Sequence, residues 1–343
     1  MHIAALITAS IDPHLFLRHR PPCNTRLACD LQAFTLPEFR DPLLFGFVAV
    51  GAGAVVSWGR RAVRGARGIK SSLPVPIAGL LFAAAALAGY QRTGHLVPGF
   101  ALSIALLLTG GLIGDIASLP AVPRMLLSAP GAVVLATESA LPDPLWARVF
   151  AGAITVVGAG LIDSLDRRCC RLGLGPLLLA VTTVGLYETV PDPDFALLLV
   201  GAALPMALLG WPIPLARLGG AGAAAAAGFL AWADAVGGRG RLGTVVAGGV
   251  CLGLFAIEPP VHWLLRDGQT VVERLAPHLR TPVVVSFIQL ALAAACTRIA
   301  LDNRTPVEAG EIAGIALLLA IIATYALSQR RIHLTARLWR ADR

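Results

Sequence analysis

The chain has 343 residues, of which 56% are hydrophobic and only 14% charged, and its formal net charge is +8. Soluble domains carry about 25% charged residues, so this composition excludes an ordinary water-soluble protein and indicates an integral membrane protein. The positive charge does not indicate nucleic-acid binding, because basic residues of membrane proteins collect on cytoplasmic loops, and the arginines here do not alternate with aromatic residues.

In chain order, we interpret residues 1–41 as a poorly structured N-terminal extension, residues 42–328 as a transmembrane domain and residues 329–343 as a basic cytoplasmic tail. A membrane span needs about 20 apolar residues, and spans in lipid are helical because open strand edges leave backbone groups unpaired. Cutting the sequence at its polar breaks therefore predicts an all-α fold with about eleven transmembrane helices. They lie near residues 42–58, 73–90, 98–117, 125–141, 146–162, 172–188, 194–210, 219–236, 243–257, 282–300 and 308–328.

The basic residues predict the orientation of these spans. The loop after the first span holds five of them between Arg60 and Lys70, and eighteen of the 28 Lys and Arg residues fall on that side of the predicted topology. The positive-inside rule then places the N-terminus outside and the C-terminus in the cytoplasm. We expect a multi-pass protein of the cell's inner (plasma) membrane, with its polar clusters at the cytoplasmic face.

The first of these clusters lies at residues 111–124, where Asp115 ends an apolar run and Arg124 follows nine residues later. An ionisable side chain at the end of a span is costly unless it is solvated or paired, so Asp115 is a candidate site residue. The alternative is an ordinary helix end.

The second cluster combines carboxylates with guanidinium groups. Asp163 and Asp166 are three residues apart, which places them on one face of a helix, where together they could bind a hard cation such as Mg²⁺. Arg167 follows directly and could bind phosphate. The alternative is a helix end whose Asp and Arg side chains pair with one another.

The third cluster begins at Arg217, before a glycine-rich turn at residues 219–222 that opens a helix. Backbone N–H groups at such a turn can bind phosphate, although Gly and Ala also permit close helix packing in lipid, and packing is favoured for residues 223–228. A fourth polar stretch carries His262 and His278, which as isolated histidines are more often solvated than catalytic.

Taken in this order, residues 60–280 resemble the polyprenyl-phosphate N-acetylhexosamine-1-phosphate transferases, the glycosyltransferase family 4 that includes the phospho-N-acetylmuramoyl-pentapeptide translocase. The likeness consists of four spaced motifs and a reduced histidine-rich loop. The matching residues are Lys70, Pro74, Pro76 and Gly79, then Asp115, Leu119 and Arg124, then Ile162, Asp163, Leu165 and Asp166, then Ala216, Arg217, Gly219 and Gly222, and last His278.

Members of this family have a similar eleven-span arrangement and use Mg²⁺ to transfer a sugar phosphate from a UDP-sugar to a polyprenyl phosphate at the cytoplasmic face. The resemblance implies catalytic roles for Asp115, Asp163 and Asp166, with the metal on Asp163 and Asp166. It also implies substrate or phosphate contacts for Lys70, Arg124, Arg167, Arg217 and His278.

The sequence departs from the family pattern at acidic positions. Gly114 and Gly220 stand where the family has aspartates, and Arg167 stands where it has a glycine. This loss favours a pseudoenzyme, a partner or lipid-binding subunit in cell-envelope glycan assembly that needs no cofactor. An active divergent transferase using Mg²⁺ and a UDP-sugar is the main alternative, and a transporter or flippase is disfavoured because the charges gather at one face. The expected partners are membrane lipid, polyprenyl phosphate and other chains in a homo- or hetero-oligomer.

Overall fold

The structure is a computed structural model that describes residues 40–48, 51–52, 55, 77–92, 96–138, 145–168, 179–183, 193–210 and 217–238. These residues are helices and short connections, with no strand among them, which confirms the all-α prediction for this part of the chain. Segments 40–48 and 179–183 are also helical. The six longer helices are α1 (Ile77–Arg92), α2 (Pro98–Ile116), α3 (Ala121–Glu138), α4 (Leu145–Arg168), α5 (Pro193–Gly210) and α6 (Gly219–Gly238).

Each of these six helices overlaps one interval predicted as a span, and α3 and α4 extend beyond their intervals at ends that carry charged residues. Helix α3 begins four residues before the predicted start at 125, and α4 continues six residues past the predicted end at 162. A prediction from hydropathy ends a span at the first charged residue, whereas a helix continues as long as its backbone hydrogen bonds continue. The polar residues at these positions are therefore held on helices.

Helix α2 is the one helix in the described ranges that is long and apolar enough to cross a membrane by length and composition. The predicted spans at 243–257, 282–300 and 308–328 lie outside the described residues, as do residues 1–39 of the predicted extension and the tail at 329–343.

Helix α6 is the core of the described bundle, since every residue from 219 to 233 is buried. It packs mainly against α4 and α2 and also against α1. Glycines allow the backbones to approach: a Cβ added to Gly111 on α2 would lie 2.5 Å from the Gly220 carbonyl oxygen and 2.6 Å from the Ala221 nitrogen. Small residues at helix contacts are what close packing in lipid requires.

Aromatic side chains fill the bundle at one end of α6. Phe100 stacks on Trp232 with ring centroids 4.5 Å apart and meets Tyr90 and Phe229 edge-on. The Trp232 indole N–H donates to the Tyr90 hydroxyl at 3.4 Å, so two polar tips pair within an apolar cluster. Phe100 lies near the start of α2 and Trp232 near the end of α6. The charged residues Asp115, near the end of α2, and Arg217, just before α6, lie at the opposite end of these two helices.

Candidate functional site

The turn between α2 and α3 sets the spacing of the first motif. The Ser118 N–H donates to the Asp115 carbonyl at 3.3 Å, and the Leu119 N–H donates to the Gly114 carbonyl at 3.0 Å. Ser118 has φ 52°, so these bonds form a Schellman motif with a left-handed residue that ends α2. The Leu119 carbonyl then accepts a 2.7 Å bond from Nε of Arg124. The turn thus orients Arg124 beneath the end of α2.

Arg124 joins carboxylates from two helices. Its Nη1 donates to Asp115 Oδ1 on α2 at 2.8 Å and to Asp163 Oδ2 on α4 at 3.3 Å. The Arg124 side chain is only 7% exposed, and both aspartate side chains are 10% exposed. Removing these charges from water is costly, so each of them needs its oppositely charged partner to stay buried.

Arg167, near the end of α4, bonds to the same two carboxylates. Its Nε donates to both Asp163 oxygens at 2.9 Å, and its Nη2 donates to Asp115 Oδ1 at 3.0 Å. The side chain is 42% exposed, so this guanidinium is the more accessible of the two. Asp115 and Asp163 are therefore bridged twice.

The N-terminus of α6 supplies backbone donors to the site. Gly220 N–H donates to Asp115 Oδ2 at 2.7 Å, and Ala221 N–H approaches the same oxygen at 3.4 Å. Gly219 has φ 63°, a conformation that suits glycine, and its N–H donates to Asp166 Oδ2 at 3.0 Å. The first N–H groups of a helix lack intrahelical partners and carry partial positive charge, so the carboxylates serve as caps for α6.

Arg217 lies just before α6 beside the buried Asp166. Its Nε is 3.8 Å from Asp166 Oδ2, which is an ion pair beyond hydrogen-bonding distance. This Nε is buried and has no hydrogen-bond partner within the part of the chain that the structure describes. The cluster as a whole contains three aspartates and three arginines, so its formal charges balance.

Six of the eight predicted site residues come together in this cluster, from α2, α3, α4 and the segment before α6. Lys70 and His278 lie outside the described residues. Sequence reasoning did not anticipate that the backbone N–H groups of residues 219–221 would bind the protein's own carboxylates. The glycine-rich start of α6 is the signal for these bonds, although from the sequence it indicates a phosphate site or close helix packing. The six clustered residues are Asp115, Arg124, Asp163, Asp166, Arg167 and Arg217.

The two glycines that stand where the resembled family has aspartates also lie at this cluster. A Cβ on Gly114 would lie 2.6 Å from Cγ of Arg124. A Cβ on Gly220 would lie 3.0 Å from Asp115 Oδ1 and 3.3 Å from Arg124 Nη1. Larger side chains at either position would therefore need the present ion pairs to move.

A small cavity of about 10 Å³ adjoins the cluster, which is room for roughly one water molecule. Polar side chains of Arg124, Ser128 and Asp163 line it together with Gly160 and Gly220. A water there would have polar partners, but a nucleotide sugar would not fit into this cavity.

The carboxylates do not fit the magnesium ion that the family resemblance implies. Both oxygens of Asp115, both of Asp163 and Oδ2 of Asp166 already accept bonds from arginine or backbone N–H groups. Protein-bound Mg²⁺ requires carboxylate oxygens that face the ion at about 2.0–2.1 Å. Among the described residues, no group of three His, Cys, Asp or Glu side chains is arranged to hold a metal ion. The assignment of Asp163 and Asp166 as metal ligands stays a prediction without support from this geometry.

No family model matches this chain, and no curated protein matches it either. The resemblance to the sugar-phosphate transferases therefore depends on the motif residues themselves.

Proposed function

We propose that this protein is an integral membrane protein with the fold of the polyprenyl-phosphate sugar-1-phosphate transferases, that it is catalytically inactive, and that it binds lipid phosphate as a subunit of cell-envelope glycan assembly. One observation carries the proposal. All four oxygens of Asp115 and Asp163, two of the three residues that the resemblance implies to be catalytic, are bonded to groups of the protein itself.

A transferase site of this class needs the opposite arrangement. Its carboxylates must face a metal or an attacking oxygen, and its guanidinium groups must face phosphate. Here Arg124 and Arg167 face Asp115 and Asp163. To bind substrate in the manner of a transferase, the protein would first have to break several charge-assisted bonds, of which those of Arg124 are buried. This supports loss of catalysis.

The surface of α2 supports a location in lipid. Its buried residues include Phe100, Ile104 and Leu107. Positions three or four residues apart on the other face are exposed, and the Thr109 hydroxyl there donates to the Ala105 carbonyl at 2.8 Å. A hydroxyl bonded within its own helix is compatible with hydrocarbon, where unpaired polar groups are costly. The exposed positions are Pro98, Leu102, Ala105, Thr109, Ile113 and Ile116.

Lipid phosphate is the ligand class that best fits the accessible edge of the cluster. Arg167 is half-exposed and contacts Asp115, the residue that precedes Ile116. Ile116 is 77% exposed and Ile113 is 47% exposed, so a cationic group lies next to an apolar surface. An anionic headgroup could contact the guanidinium while its chain lies along α2. A free phosphate would gain only the first of these contacts.

Binding can be tested with the full-length protein in nanodiscs. Native mass spectrometry should detect bound polyprenyl phosphate and much less polyprenol of the same chain length. Arg167→Gln should weaken binding of the phosphate lipid, whereas Arg92→Gln should not, because Arg92 is 73% exposed in a pair with Asp41 at the other end of the bundle. Equal retention of both lipids, or no effect of Arg167→Gln, would contradict the lipid-phosphate assignment.

Catalysis is tested separately by incubating the same protein with Mg²⁺, a UDP-sugar and polyprenyl phosphate. We expect no release of UMP. Magnesium-dependent release that is abolished by Asp163→Asn would contradict the proposed loss of activity.

An active divergent transferase is the second candidate, favoured by the convergence of Asp115, Asp163 and Asp166 on one site. In that case the natural chain should turn over, and Gly220→Asp should leave it active. Turnover only after Gly220→Asp would show that the natural chain is inactive.

A further inference from the structure

Two guanidinium groups in this protein occupy the space between one pair of carboxylates. Arg124 reaches Asp115 Oδ1 at 2.8 Å and Asp163 Oδ2 at 3.3 Å. Arg167 reaches the same Asp115 oxygen at 3.0 Å and both oxygens of Asp163 at 2.9 Å. A divalent cation that joined α2 to α4 would need these same oxygens.

The remaining oxygen of Asp115 offers no alternative approach. Asp115 Oδ2 accepts from Gly220 N–H at 2.7 Å and lies 3.4 Å from the Ala221 nitrogen. A cation that approached Asp115 would therefore meet N–H groups at both of its carboxylate oxygens. It would also be repelled by two positive guanidinium groups close by, in a site where solvent screens charges poorly.

Arg124 matches the pattern of the resembled family, but two departures from that pattern, Gly114 and Arg167, lie at the cluster. Gly114 leaves room for the stem of Arg124, since a Cβ there would lie 2.6 Å from Cγ of Arg124. Arg167 is itself a departure, because the resembling family has a glycine at that position. The loss of an acidic residue and the gain of a basic one thus change the cluster in the same direction.

We infer that Arg124 and Arg167 replace the metal ion in this protein, so that Asp115 and Asp163 form a cluster that is independent of divalent cations. The two guanidinium groups join α2, α3 and α4 and balance the buried negative charge. The inference deepens the proposed loss of catalysis and does not depend on lipid binding.

The first test uses Mn²⁺ as the probe with the full-length protein in nanodiscs. Electron paramagnetic resonance should find no stoichiometric Mn²⁺ on the natural chain at millimolar metal, and the thermal midpoint of unfolding should be the same in EDTA and in Mg²⁺. One Mn²⁺ per chain that is lost in Asp163→Asn would overturn the inference. If such binding occurred without UMP release, the proposed loss of catalysis would still stand, so the two failures are distinguishable.

The second test removes the accessible cation. Arg167→Ala should lower the thermal midpoint in EDTA, and Mn²⁺ should raise it again, with binding of one Mn²⁺ that the double variant Arg167→Ala, Asp163→Asn does not show. Arg92→Ala is the matched control, because it removes an exposed arginine from its pair with Asp41, and it should not gain Mn²⁺. An Arg167→Ala protein with an unchanged midpoint and no metal response would overturn the inference.

Discussion

Gly114 on α2 and Arg124 on α3 lie in direct contact, and the absence of a side chain at position 114 is what allows the arginine to point into the bundle. A Cβ at this glycine would lie 2.6 Å from Cγ and 3.3 Å from Cδ of Arg124. The ion pairs that Arg124 makes with Asp115 and Asp163 therefore depend on a neighbour that has no charge at all.

The first prediction concerns this contact. Gly114→Ala should displace Arg124 and destabilise the protein by about 3 kcal/mol, because breaking a buried ion pair leaves charges uncompensated. Equilibrium unfolding in mixed micelles measures the effect. In an Arg124→Ala background the same change should cost much less, since the clash is gone, and such non-additivity identifies contacting residues. Equal costs in the two backgrounds would contradict the prediction.

The second prediction concerns Gly220, whose Cβ would lie 3.0 Å from Asp115 Oδ1. Gly220→Asp adds a fourth carboxylate to a cluster of three aspartates and three arginines, so we expect it to lower the thermal midpoint in EDTA and to restore a dependence on Mg²⁺. Gly220→Asn has nearly the same shape without the charge and should show no metal response. Identical behaviour of the two variants in EDTA and in Mg²⁺ would show that charge balance does not limit the site.

The third prediction concerns the turn that ends α2. Ser118 has φ 52°, a backbone conformation that is strained for residues with a Cβ but not for glycine. Ser118→Gly should therefore stabilise the protein by about 1 kcal/mol. Ala117 has φ −77°, and Ala117→Gly should instead destabilise, because glycine there only adds freedom to the unfolded chain. Both side chains are exposed, so packing changes little in either variant. The sign of the two unfolding shifts checks the assignment, and equal signs would contradict it.

The fourth prediction concerns the contact between α2 and α6. Gly111→Ala places a methyl group against the backbone of Gly220 and Ala221, so α6 must shift and the protein should lose about 1–3 kcal/mol. Gly152→Ala is the control, because its Cβ would meet Ala136 at an ordinary 3.6 Å and alanine favours the helix. The prediction fails if Gly111→Ala is as stable as Gly152→Ala.

The members of the charged cluster could be predicted from the sequence because charged residues at the ends of apolar runs are costly and need a partner. Asp115 is a candidate on that basis, whereas Asp163 is a candidate because it lies three residues from Asp166, and Arg124 because it follows Asp115 by nine residues. The structure brings these three side chains within hydrogen-bonding distance. Helical structure could also be predicted, because an apolar chain in lipid must form its backbone hydrogen bonds internally.

The partners of these residues could not be predicted. A guanidinium binds a phosphate or a carboxylate with the same geometry, so the sequence does not say whether Arg167 faces a ligand or Asp163. Nor does it reveal that Gly114 makes room for Arg124, because that depends on how α2 and α3 cross. The N-terminal N–H groups of α6 were equally ambiguous, since a helix start binds any anion, including Asp115 of the same chain.

Helix α6 is held by two different kinds of interaction at its two ends. Charges hold Gly219 and Gly220, whereas ring packing around Trp232 holds the other end. Ionic strength acts on the first kind and hardly on the second, and it acts most on exposed groups. Concentrated salt should therefore weaken the contacts of half-exposed Arg167 first, while the aromatic end and the bonds from Gly219 and Gly220 to the largely buried Asp166 and Asp115 keep α6 in register.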